Sequence, residues 1–136
     1  MKVKSLKSRR RKGFDAEREL VKKFKERKIW VTRIPVSGIA QPLPDVLAVA
    51  KGILYGFEVK RCGEHARYYR KDFDNLIMWL EAMRREGLKA EAWVSVRFNG
   101  GVWRFYQVDT ETEKVEANPN IGLTFSHILR RMLGLA

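Results

Sequence analysis

Three side chains near the middle of the chain are of the right type and spacing for chemistry. Asp45 heads one apolar run, and Glu58 and Lys60 lie two residues apart in the next, Phe57-Glu58-Val59-Lys60. Successive side chains of a strand point to opposite faces, so Glu58 and Lys60 share one face while Phe57 and Val59 take the other. The runs Val46–Ala50 and Ile53–Lys60 are separated only by Lys51-Gly52, the signature of a hairpin, which returns Asp45 to the level of Glu58 or Lys60. Glu17 is a fourth candidate, because it interrupts the apolar stripe of an upstream helix and a carboxylate on a buried face needs a partner. Carboxylates gathered this closely repel one another, and a divalent cation relieves the repulsion. One cysteine and two histidines without ligand spacing leave oxygen donors, which suit Mg²⁺, with Mn²⁺ as a substitute. The expected ligands are Glu17, Asp45, Glu58 and the backbone carbonyl of Val59. The fitting reaction is phosphodiester hydrolysis, with Lys60 positioning or helping to deprotonate water and Ser37 hydrogen-bonding the scissile phosphate beside Gly38.

The elements that must position these groups can be read from periodicity. Phe14, Leu20, Val21 and Phe24 predict a helix over residues 13–28, and Ile29–Ile34 predicts a strand. Pro35, Ser37, Gly38, Pro42 and Pro44 make the following segment a loop. A second amphipathic helix is expected over 69–86, with Phe73, Leu76, Ile77, Leu80 and Met83 inward and Met78 and Trp79 outside that stripe, free for a dimer contact. Strands 92–98 and 102–108 meet across Asn99-Gly100-Gly101, and a short helix closes the chain over 124–133. This order predicts an α/β fold in a single domain spanning 1–136, with a central mixed sheet of about five strands flanked by helices.

Composition sets the partner class. The 28 Lys and Arg against 16 Asp and Glu give a net charge of +12. Seven cations, from Lys2 to Lys12, precede Gly13 without an acid among them. Such a surface suits a nucleic acid. Arg9, Arg10, Arg11, Lys12, Arg67 and Arg70 are the expected contacts, with Tyr68 and Tyr69 either stacking on bases or packing at the start of the second helix. A lone Cys62 excludes an intrachain disulfide and reads as inert, with its closeness to Lys60 as the one feature that would lower its thiol pKa. His65 and His127 read as structural or surface residues. No apolar stretch approaches a membrane span, and the expected location is cytoplasmic, on the nucleoid.

Pro44-Asp45 followed by Glu58-Val59-Lys60 resembles the PD-(D/E)xK nuclease pattern. A wider set resembles the archaeal Holliday junction resolvases: Arg11-Lys12-Gly13, Ala16-Glu17-Arg18-Glu19-Leu20, Arg33-Ile34-Pro35-Val36-Ser37-Gly38, Pro42-Leu43-Pro44-Asp45-Val46 and Phe57-Glu58-Val59-Lys60. The resemblance implies a restriction-endonuclease-like fold. It implies Glu17, Asp45 and Glu58 as the acidic set, Lys60 as the catalytic lysine, Ser37 in support and Arg33 as a further DNA contact. It also implies a homodimer nicking two opposed strands of a four-way DNA junction, with recombination or replication proteins as further partners. Two competing readings remain at this level: a nuclease of the same fold with another DNA substrate, and a non-catalytic DNA-binding protein.

Overall fold

The computed structural model describes residues 6–35 and 41–135, with side chains of the first helix described from Asp15 onward. Helix α1 (Leu6–Lys25) precedes β1 (Trp30–Arg33), β2 (Val46–Ala50), β3 (Ile53–Arg61) and β4 (Ala66–Tyr69). Helix α2 (Arg70–Arg85) then leads to β5 (Ala90–Phe98), β6 (Val102–Val108), β7 (Lys114–Ala117) and helix α3 (Phe125–Met132). Ala16, Leu20 and Phe24, four residues apart, form the buried stripe of α1. The helix starts at Leu6 rather than at residue 13, so much of the basic N-terminal segment is helical. Lys and Arg are good helix formers, and no proline interrupts the run. The C-terminal end is a Schellman turn. Ile29 N donates to Phe24 O and Lys28 N to Lys25 O, with Lys28 at φ 61°.

Five strands form the main sheet in the order β1-β2-β3-β5-β6. Only β3 and β5 are parallel, as the intervening α2 crossover requires, and the other neighbours are antiparallel. The β2–β3 hairpin turns through Lys51 (φ 50°) and Gly52 (φ 78°), both left-handed, which matches the twist of the strands it joins. Strand alternation divides the interior into two cores. Val46, Ala48, Tyr55, Phe57, Trp93 and Phe105 pack with α1 and α3 on one face. Ala92, Val94, Val96 and Val108 pack with α2 on the other.

The α2 side departs from the sequence reading in three respects. Tyr69 belongs to β4, not to the helix, and β4 pairs with β7 in a separate two-stranded sheet that periodicity did not reveal. Both strands are four residues long, too short to show a period. Trp79 is 4% exposed rather than free for a partner, because its ring lies over Gly56 of β3, where a Cβ would meet it at 2.5 Å. Met78 is 46% exposed. Among the described residues no helix is long and apolar enough to cross a membrane.

Candidate active site

Asp45 is held at the mouth of the sheet by its own backbone. Its N–H donates to Phe57 O at 3.0 Å, and its carbonyl accepts from Ile34 N at 2.9 Å, so it bridges β1 and β3. Val46 pairs with Phe57, which sets Asp45 across from Glu58. The carboxylate then accepts from Val59 N–H at 2.8 Å. The Val59 N–H therefore orients Asp45. Lys60 Nζ lies 3.4 Å from Glu58 Oε1 on the shared strand face and 5.8 Å from the centre of the Tyr68 ring.

The electrostatics of the pair are unusual. Burial, and then the charge of Asp45, push Glu58 up to about 8, beyond what Lys60 restores. Asp45 is also raised by burial, although the Val59 N–H, the Glu58 contact, Lys60 and Arg33 favour its ionised form. Burial and the neighbouring Asp45 charge thus favour the protonated form of Glu58, with Asp45 as the hydrogen-bond acceptor. Glu17 approaches closely enough for Asp45 to raise it further after burial has done so, but its carboxylate is engaged by Arg33 Nε at 2.9 Å. Among the described residues no three His, Cys, Asp or Glu side chains are assembled as a ligand cluster. Two half-buried carboxyls forced to share a proton are nonetheless a donor set that a hard divalent cation fits, since the cation would replace that proton. A cleft of about 460 Å³ opens in front of them, lined by Leu43, Asp45 and Glu58 on one side and Lys71 to Asn75 of α2 on the other.

The family model for archaeal Holliday junction resolvase (hjc) matches residues 8–133. This chain belongs to the archaeal Holliday junction resolvase family. Among solved structures it is similar to the Holliday junction resolvase Hjc of the archaeal hyperthermophile Archaeoglobus fulgidus. The TM-score is 0.65 at 21% identity, over 86% of this chain and 94% of that one, a likeness of fold. No curated protein matches the chain. The α/β architecture is accordingly the restriction-endonuclease-like fold of a junction-resolving nuclease.

The cations that the sequence assigned to DNA occupy different settings in this resolvase. Arg9, Arg10, Arg11 and Lys12 lie on the helical backbone of α1, but their side chains are outside the described residues, as is Ser37. Arg33 is turned toward Glu17. Arg67 is paired with Glu116 at 2.7 Å, and Arg70 contacts Asp74 at 3.2 Å and Thr110 O at 2.8 Å. Tyr68 is packed against the α2 core instead of standing free to stack on a base, and burial raises its hydroxyl pKa. Cys62 is likewise raised by burial, not lowered by Lys60. Sequence reasoning missed two groups. Glu19 accepts from both Arg97 Nε at 2.9 Å and the Trp103 indole, tying α1 to β5 and β6. The residues of α2 that complete the cleft were also missed. Nothing local links Lys71 or Asn75 to Glu58, and only the turn of the chain through β4 brings them together.

Proposed function

We propose that this resolvase cuts four-way DNA junctions by metal-assisted phosphodiester hydrolysis, one active site in each subunit of a homodimer placing paired, symmetric nicks. The observation that carries the proposal is the carboxyl pair Asp45 and Glu58 beside Lys60, at the mouth of a cleft open to a polyanion. Asp45 and Glu58 would hold Mg²⁺, or Mn²⁺ in its place. When bound, the ion supplies polarisation of the phosphoryl oxygen and acidification of water.

The remaining work belongs to the chain. Val59 N–H keeps the Asp45 carboxylate aimed at the cleft. Glu58 gives up its shared proton when a cation is held. The Lys60 ammonium, on the same strand face, orients the attacking water and stabilises charge developing on phosphate. Glu17 supports the site through Arg33 and its field at Asp45. The positions Arg9 to Lys12, and Ser37 in the loop before Asp45, are proposed to meet the DNA backbone. Met78, exposed on α2, is proposed to face the second subunit.

The test is incubation of the protein with a labelled four-way junction and the matching linear duplex, with Mg²⁺ or EDTA, beside Asp45→Ala. Paired nicks in the junction alone, absent with EDTA and in the variant, are expected. Equal cutting of the duplex would reassign the substrate, and tight binding without cutting would remove the catalytic assignment.

A further inference from the structure

The cleft in front of Asp45 and Glu58 has a second wall made by the first turns of α2, and four of its five α2 residues are polar: Lys71, Asp72, Asp74 and Asn75. Two of the four already have partners. Asp72 Oδ2 accepts from Tyr69 N at 2.8 Å and fixes the start of the helix. Asp74 is held by Arg70 at 3.2 Å, which balances its charge. Lys71 and Asn75 have no hydrogen bond or ion pair among the described residues. They lie on either side of Phe73, and both line the cleft.

The wall is shaped by a break in the helix between them. Phe73 is 1% exposed in the α2 core and adopts φ −137°, ψ 21°, outside helical values, so the first turn is set at its own angle to the rest. The wall thus presents an ammonium and an amide, both hydrogen-bond donors without described partners, across from the carboxyl pair.

We infer that Lys71 and Asn75 are substrate-contact residues of this nuclease, clamping the phosphodiester backbone of the strand to be cut against the Asp45–Glu58 pair. The inference rests on the proposed hydrolytic role of that pair. Lys71 supplies charge to a phosphate next to the scissile one and so acts mainly on affinity. Asn75, deeper along the helix, donates its amide N–H to the backbone at the reacting position and so acts mainly on rate. The two contacts together hold the strand from the α2 side of the cleft, facing the carboxyl pair, which limits how it can rotate there.

The experiment compares Lys71→Gln, Lys71→Arg, Asn75→Ala and Lys89→Gln with the unaltered protein. Junction affinity is read in EDTA across a salt series, and single-turnover cleavage at saturating protein with Mg²⁺. Lys89 is an apt control for net charge. Its carbonyl accepts from Leu54 N, which places it four residues along β3 from Glu58, about 13 Å away. Lys71→Gln is expected to weaken binding about tenfold and to lower the salt slope by about one, with Lys71→Arg restoring both. Asn75→Ala is expected to lose about tenfold in single-turnover rate at unchanged affinity. Equal weakening by Lys89→Gln and Lys71→Gln, or wild-type behaviour of both cleft variants, would overturn the inference. The unaltered protein reports separately on the hydrolytic reading: if it cleaves while the cleft variants behave normally, only the clamp fails.

Discussion

At the scale of single residues, the proton shared by Asp45 and Glu58 couples stability to catalysis. Glu58 titrates near 4.5 when unfolded and near 8 in the fold, so the folded state binds more protons between those values. Stability without a cation therefore falls as pH rises from about 4.5 through 8 and is greatest below that window. Glu58→Gln removes the ionisation while keeping shape and a hydrogen-bond donor toward Asp45. The variant is expected to match the parent near pH 4.5 and to exceed it by about 1–3 kcal/mol at pH 8.5 in denaturant melts, while losing cleavage. A variant that melts like the parent at pH 8.5 would show that the pair does not share a proton. Glu58 must release that proton to ligate a cation, so cation affinity is expected to rise with pH across the same window, a trend calorimetry can follow.

Two positions decide how well the surrounding elements hold the site. Gly56 lies in β3 two residues before Glu58, directly under Trp79, and a methyl group there would meet the indole at 2.5 Å. Gly56→Ala is expected to cost about 1–3 kcal/mol by forcing α2 away from the sheet, and to lower cleavage because α2 forms half the cleft. A chemical melt and a cleavage assay on the same sample check both effects, and an unchanged midpoint would mean that the indole can move freely. Lys28 ends α1 in the left-handed region, where a side chain is strained. Lys28→Gly is expected to raise stability by about 0.5–1 kcal/mol, leaving activity intact, because the Schellman turn is kept and the Cβ strain removed. Apolar periodicity made the end of α1 approximately readable in advance. The α1 start was missed because a run of Lys and Arg carries no apolar period, and β4 and β7 were missed because neither is long enough to show one.

For the whole molecule, charge and assembly govern how a junction is met. With +12 in net charge, junction affinity is expected to fall steeply with salt, and each backbone contact removed should lower the slope of log Kd against log salt by about one. For the proposed homodimer, Met78→Glu is expected to separate the subunits in sedimentation and to turn paired nicks into single ones; a variant that sediments like the parent would remove Met78 from the proposed interface. Much of this protein follows from its sequence alone. Strand alternation puts Glu58 and Lys60 on one face, the Lys51-Gly52 hairpin brings Asp45 beside them, and the excess of cations sets the partner class, because each depends only on local geometry or on composition. Other features depend on tertiary packing. Glu17 turns toward Arg33, Trp79 closes over Gly56, Tyr68 is drawn against the α2 core, Arg67 pairs with Glu116 across the β4–β7 sheet, and Lys71 and Asn75 line the cleft in front of Glu58. These pairings join segments far apart in the chain, and competition among packing, burial and charge in the folded state selects them, which periodicity within any one segment cannot report.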